Sequence, residues 1–183
     1  MSACSIWGWV ADAGPYEVLS FALRMEQGAL RRYTRMAGQA TNRLTSAKLR
    51  YLAEEEREHA RLLGQAIHGL ARPGKLRRTP ISRAEVTGFP AGDTSEASLR
   101  LALKAEKNSK TFYRHCAVRC RKAATRKLFE GLIEQESRHA RLLQDELVLL
   151  GGGFAWRSLE GAPPAEDDLP FSSRTSRAVP SRP

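Results

Sequence analysis

Residues 51–63 read YLAEEEREHARLL, and residues 131–143 read GLIEQESRHARLL. The chain thus writes Glu-x-x-His-Ala-Arg-Leu-Leu twice, each time inside an apolar pattern of helical period. Either both stretches are charged faces turned to water, or both carry polar side chains that point into a core. The surrounding residues decide between these readings.

Working outward, four segments show helical periodicity. The first, about 15–38, puts Leu19, Leu23, Glu26, Leu30, Tyr33 and Ala37 on one stripe. The second, about 43–70, does so with Leu49, Leu52, Glu56, His59, Leu63 and Leu70, and the third, about 95–121, with Leu99, Leu103, Glu106, Lys110, Tyr113 and Ala117. The fourth, about 124–150, carries Phe129, Leu132, Glu136, His139, Leu143 and Glu146 and ends before Gly151–Gly153. Steps alternate between three and four, the spacing of helices packed nearly parallel. The halves align without a gap at an offset of 80, which matches Glu26 with Glu106, Tyr33 with Tyr113, Glu56 with Glu136 and His59 with His139.

Connections give the topology. The turns near 39–43 and 121–124 are short, so each half is an antiparallel hairpin. The segment 71–94 can exceed the ~45 Å of a 30-residue helix at roughly 3.3 Å per extended residue. The expected fold is therefore all-α, a ferritin-like four-helix bundle made of two duplicated hairpins joined by one long crossover. Residues 1–14 read as an N-terminal segment, 15–150 as the bundle with crossover 71–94, and 151–183 as a flexible tail.

The 183 residues suit one domain with a sizeable core. No apolar run approaches the roughly 20 residues of a membrane span. The start, MSACSIWGWVADAG, lacks the basic stretch of a signal peptide. Cys4, Cys116 and Cys120 make no disulfide framework; they read as core thiols in a reducing cytoplasm. A net charge of +10 favours an acidic partner, nucleic acid or an anionic surface.

Glu26 and Glu106 carry the chemical argument, because each interrupts an apolar stripe. A buried carboxylate must be protonated, paired or bound to metal. Glu56 and Glu136 sit on the other stripes, each with a His at i+3 on its own face. One Glu-x-x-His is a weak signal; two in register, each matched to a stripe Glu, are a strong one. Four carboxylates balance two divalent cations, and Glu26, Glu56, His59, Glu106, Glu136 and His139 are the expected ligands of a di-iron or di-manganese centre. Glu54, Glu55, Glu58 and Glu134 read as surface. Tyr33 and Tyr113, two turns beyond Glu26 and Glu106, read either as core tyrosines or as groups that hydrogen-bond a ligand carboxylate.

The paired segments ALRMEQGALRRY (22–33) with AEEEREHARLL (53–63), and ALKAEKNSKTFY (102–113) with IEQESRHARLL (133–143), resemble the repeats of the rubrerythrin-like family of the ferritin-like superfamily. The resemblance covers about residues 15–150. It implies a ferritin-like bundle whose di-iron centre reacts with hydrogen peroxide or dioxygen. Three departures stand out. No cysteine follows Cys120, where rubrerythrins proper carry a four-cysteine rubredoxin domain, so an external electron donor is expected. Leu103 stands where many members have an additional carboxylate. Lys110 replaces the Leu30 of the first half, either snorkelling to solvent or weakening metal binding.

The topology gathers Arg72, Lys75, Arg77 and Arg78 with Arg119, Arg121, Lys122, Arg126 and Lys127 at one pole. The helix dipole accounts for cations closing the third helix, not for Arg126 and Lys127 opening the fourth. An acidic electron-transfer protein is the expected partner there. Nucleic acid is the rival, although the cluster lacks interleaved aromatics. A homodimer is expected, as among similar bundles. Two other functions use the same residues: a di-iron hydroxylase, and a non-catalytic metal- or DNA-binding protein.

Overall fold

The structure is a computed structural model that describes residues 6–70, 73, 74 and 95–150. These residues form five α-helices and no strand: α1 (Ile6–Asp12), α2 (Pro15–Gln39), α3 (Arg43–His68), α4 (Glu96–Arg119) and α5 (Ala123–Leu150). The last four match the expected helices to within a few residues, and the fold is an all-α, ferritin-like bundle. The crossover 71–94, apart from residues 73 and 74, and the tail 151–183 lie outside the described residues, as do residues 1–5. The chain divides into a unit Met1–Leu147, which holds the bundle, and a unit Val148–Pro183, described only at the end of α5. No described helix is long and apolar enough to cross a membrane.

Local chemistry sets the helix boundaries. Pro15 opens α2, and the backbone N–H of Gly14 donates to the Glu17 carboxylate at 2.9 Å. Asn42 caps α3 by accepting from the N–H groups of Leu44 and Thr45, at 2.8 and 3.2 Å. Ser95 caps α4 through the N–H of Ser98. Arg126, unfavourably placed for the dipole of α5, donates to the Cys120 carbonyl from both Nε and Nη2. It ties the α4–α5 turn down, which gives one member of the cationic cluster a structural reason.

Two apolar clusters fill the bundle, one on each side of a polar layer. One includes Leu19, Ala22, Leu63, Tyr113, Phe129 and Leu132; the other includes Leu99, Ala102, Leu143, Tyr33, Leu49 and Leu52. The offset of 80 exchanges these lists member for member, so the duplication is a pseudo-twofold that swaps the poles. One departure explains α1. Phe21 is buried, whereas its counterpart Leu101 is 40% exposed. Phe21 stacks between Trp9 of α1 and Phe112 of α4, at centroid separations of 5.4 and 5.2 Å, and α1 packs on α4 over this aromatic surface.

Candidate metal centre

The layer between the clusters is made of the six residues that the repeats single out. Glu26 comes from α2, Glu56 and His59 from α3, Glu106 from α4, and Glu136 and His139 from α5; none is more than 2% exposed. Spacing on each helix places them at mid-length, and the pseudo-twofold brings the four helices to one level. Glu54, Glu58 and Glu134 face solvent, where Glu54 pairs with Arg57 and Glu58 with Arg61, and Glu55 is half-buried.

Six donors resolve into two overlapping groups, Glu26–Glu56–His59–Glu136 and Glu56–Glu106–Glu136–His139, with donor atoms within 4.8 Å of one another in each. Glu56 and Glu136 belong to both, and each group adds one carboxylate and one imidazole from a single hairpin. His59 Nδ1 stands 3.3 Å from Glu26 Oε2, 3.3 Å from Glu56 Oε2 and 3.5 Å from Glu136 Oε1. His139 Nδ1 lies 3.0 Å from Glu56 Oε1 and 3.7 Å from Glu106 Oε2. The two imidazole rings stack with centroids 5.3 Å apart.

Whether a metal fits can be judged from the bonds these atoms do not make. Both oxygens of Glu56, both oxygens of Glu136 and both nitrogens of His139 are buried without a hydrogen-bond partner, despite lying close to one another. Buried polar atoms in that condition are costly and rare in proteins. Donors crowded together without mutual hydrogen bonds suit cations placed between them. Oxygen and imidazole ligands without thiolate are those preferred by iron and manganese.

Electrostatics agree. Burial, then the charge of Glu56, pushes Glu26 up to about 8. Burial, then the charge of Glu106, holds Glu136 well above the carboxylate range. Burial would also raise Glu56 and Glu106, but the protons that face them outweigh it and both end up below. Burial pulls the imidazoles down, but Glu26 and Glu56 raise His59 to about 11, and Glu106 and Glu56 raise His139 to about 9. The raised groups, Glu26, Glu136, His59 and His139, favour their protonated forms and so offset the charge of Glu56 and Glu106 in the metal-free centre. Divalent cations would replace such protons charge for charge.

The tyrosines cross between halves. Tyr33 of α2 donates to Oε1 of Glu106 on α4, and Tyr113 of α4 donates to Oε1 of Glu26 on α2. The two helices run antiparallel, since Leu19 of α2 shares a cluster with Tyr113 of α4, and Tyr33 of α2 with Leu99 of α4. The reciprocal bonding leaves Oε2 of each carboxylate on the side of the imidazoles. Burial, then the facing carboxylate, raises both phenols well above their ordinary value, so they remain donors. Lys110 is half-buried and enters none of the hydrogen bonds or ion pairs described for the layer.

Sequence reasoning missed Gln135. Its side-chain oxygen lies 2.6 Å from His59 Nε2, which fixes the tautomer that leaves Nδ1 toward the carboxylates. The repeat places Glu55 at the matching position, yet His139 Nε2 has no such bond. The two halves therefore hold their imidazoles unequally. A residue preceding a ligand gives no signal in one sequence, because its partner lies 76 positions away.

Comparison with known proteins follows this geometry. The family model for rubrerythrin matches residues 17–147. A hypothetical protein from Pyrococcus furiosus is 24% identical, with a TM-score of 0.61 over 78% of this chain and 94% of its own. The bacterioferritin-related dodecameric thioferritin of Bacteroides fragilis is 20% identical, with a TM-score of 0.58 over 76% and 89%. The bacterioferritin of Rhodobacter capsulatus is 22% identical, with a TM-score of 0.53 over 84% and 98%. At these identities the likeness to the three structures is one of fold. No curated protein gave a significant match.

Proposed function

Because the chain belongs to the rubrerythrin family, whose centres are of the di-iron carboxylate type, we propose that this protein is an oxidoreductase that reduces hydrogen peroxide, with dioxygen as the second oxidant. The observation that carries the reading is the pair of overlapping donor groups with unpartnered atoms at Glu56, Glu136 and His139. Glu56 and Glu136 would be shared between two iron ions, Glu26 and His59 would complete one position, and Glu106 and His139 the other. Manganese suits the same donors. Two ferrous ions bound there supply the two electrons and the Lewis acidity that reduction of peroxide to water requires.

The chain's own contribution is positional and protic. Tyr113 and Tyr33 hold Oε1 of Glu26 and Glu106 and so leave Oε2 as a single donor oxygen for each position. Gln135 keeps the His59 ring from rotating. Apolar residues above and below the layer, among them Leu63, Leu132, Leu52 and Leu143, exclude bulk water and strengthen every charge interaction inside. Electrons come from an external acidic carrier that docks on exposed cations of the α4–α5 turn and the first turns of α5, including Arg121, Lys122 and Lys127. The remaining cations of that pole, Arg72, Lys75, Arg77 and Arg78, lie outside the described residues.

The test is an anaerobic titration of metal-free protein with Fe(II), followed by peroxide and then by air, read by near-ultraviolet absorbance. Saturation at about two irons per chain, with oxidation faster by peroxide than by air, supports the peroxidase reading. Faster oxidation by air assigns a ferroxidase instead, and no saturable binding refutes the centre altogether.

A further inference from the structure

The duplication supplies an internal comparison for a cavity far from the metal layer. About 530 Å³ of space opens between α1 and the bundle, where Leu70 at the end of α3 meets the α4–α5 turn. This lies within the roughly 300–1,000 Å³ range of small-molecule pockets. Val10 of α1, Val18 and Leu19 of α2, Cys116 of α4 and Phe129 of α5 make its wall apolar. Arg119, Arg121 and Lys122 also line it, and all three are exposed, which puts them at the rim. Among the described residues no acidic side chain lines it.

The opposite pole shows what the repeat places at the matching positions. Met36 stands where the second half has Cys116, and it is 1% exposed. Glu146 fills its pole, accepting bonds from Thr45 and, at 2.6 Å, from Lys48; the residue at the matching position is Ala66, packed against the core cluster of the cavity's pole. At the rim, Gln39, Thr41 and Asn42 correspond to Arg119, Arg121 and Lys122. At Cys116 and Ala66 the chain carries smaller side chains than at Met36 and Glu146, and at the rim it adds three cations. The dipole of α4 accounts for Arg119 at its last turn, but not for Arg121 and Lys122, which stand in the turn beyond. Packing alone would favour the larger Met and an uncharged rim, as the other pole shows.

We propose that this cavity binds a free amphiphilic carboxylate of the fatty-acid type. The apolar tail lies against Val10, Leu19, Cys116 and Phe129, and the carboxylate meets the cations of the rim in charge-assisted hydrogen bonds. Aliphatic burial accounts for the tail, and the three cations that line the rim select the sign of the head group. The assignment is independent of what the metal centre does.

Calorimetric titration of the full chain tests it, with decanoate, hexanoate and decyltrimethylammonium as probes. Decanoate is expected to bind saturably, one per chain. Hexanoate, four methylenes shorter, should bind roughly 200-fold more weakly, and the cationic amphiphile should not bind. Cys116→Met, which installs the residue of the other repeat, should abolish binding while metal uptake and helix content are kept. The triple change Arg119→Gln, Arg121→Thr and Lys122→Asn should weaken decanoate binding and remove its salt dependence. Absence of saturable decanoate binding overturns the assignment. So does equal binding of decyltrimethylammonium, or an affinity that neither set of substitutions changes.

Discussion

Replacing Glu136 with leucine should stabilise the metal-free protein and destroy its response to metal. Glu136 is 1% exposed and both its oxygens lack a hydrogen-bond partner. His59 Nδ1, 3.5 Å away, keeps Glu26 and Glu56 at 3.3 Å when Glu136 is gone, and Glu106, whose charge raises Glu136, keeps the Tyr33 hydroxyl. Leucine is of similar size and lies in the same stripe as Leu132 and Leu143. Removing a buried polar group whose hydrogen bonds are unmet is worth about 1–3 kcal/mol in stability. In a chain of this length that raises the melting temperature by roughly 2–12 °C. Wild-type protein should gain from metal instead: two sites at a hundredfold excess over Kd contribute about 5 kcal/mol, or roughly 10–20 °C. Differential scanning calorimetry of both proteins, with EDTA or with redox-inert Mn(II), reads both effects. A lower melting temperature for metal-free Glu136→Leu would show that this carboxylate serves the fold. An undiminished Mn(II) shift in the variant would show that it serves no metal. Either result refutes the reasoning.

Three further outcomes are expected. Tyr33→Phe and Tyr113→Phe each deprive a buried carboxylate of its donor and should cost about 1–3 kcal/mol, measured by urea unfolding of the metal-free protein. Gln135→Leu should weaken metal affinity by roughly 10–100-fold in competition with a chelator, whereas Glu55→Leu, whose position makes no bond to His139, should change it little. The third outcome is a pH dependence of opposite sign in the two forms. Glu26, His59 and His139 have raised values when folded, so the stability each contributes is complete below its ordinary value. That of Glu26 is lost as pH rises through about 8, that of His139 through about 9 and that of His59 through about 11. Glu56 and Glu106 are lowered, and their contribution is lost only as the pH falls below the carboxylate range. Metal-free protein should therefore melt progressively lower from about pH 6 to 9, while Mn(II) affinity rises over the same window because the protons it displaces are held less tightly. Parallel melts with EDTA and Mn(II) check both slopes.

The stripes of the four long helices were legible because helical period and duplication report the same faces independently. Glu26 and Glu106 stood out because a carboxylate inside an apolar stripe demands a reason, whatever the fold. The crossing of the tyrosines was not legible. Tyr33 shares a helix face with Glu26, yet its hydroxyl bonds Glu106 of the neighbouring helix, 73 positions away. Helix α1 escaped notice because a seven-residue segment containing Gly8 is not stable by itself. Its order comes from burying Trp9 and Val10 against residues distant in sequence. The pocket needed both the fold and the repeat. Cys116 reads as an ordinary core thiol until Met36 shows what could have occupied its place.

The reciprocal tyrosine–carboxylate bonds also bear on the order of folding. They join residues 73 and 87 positions apart, while each hairpin closes through a turn of only a few residues. Loop-closure entropy makes the hairpins form first and the docking of one on the other last. No metal position is whole within a single hairpin, since each group of donors draws on both. Cations therefore have nothing complete to grip until the slowest contacts are made. Bound metal should lengthen the life of the folded state by retarding unfolding, and leave the refolding rate nearly unchanged.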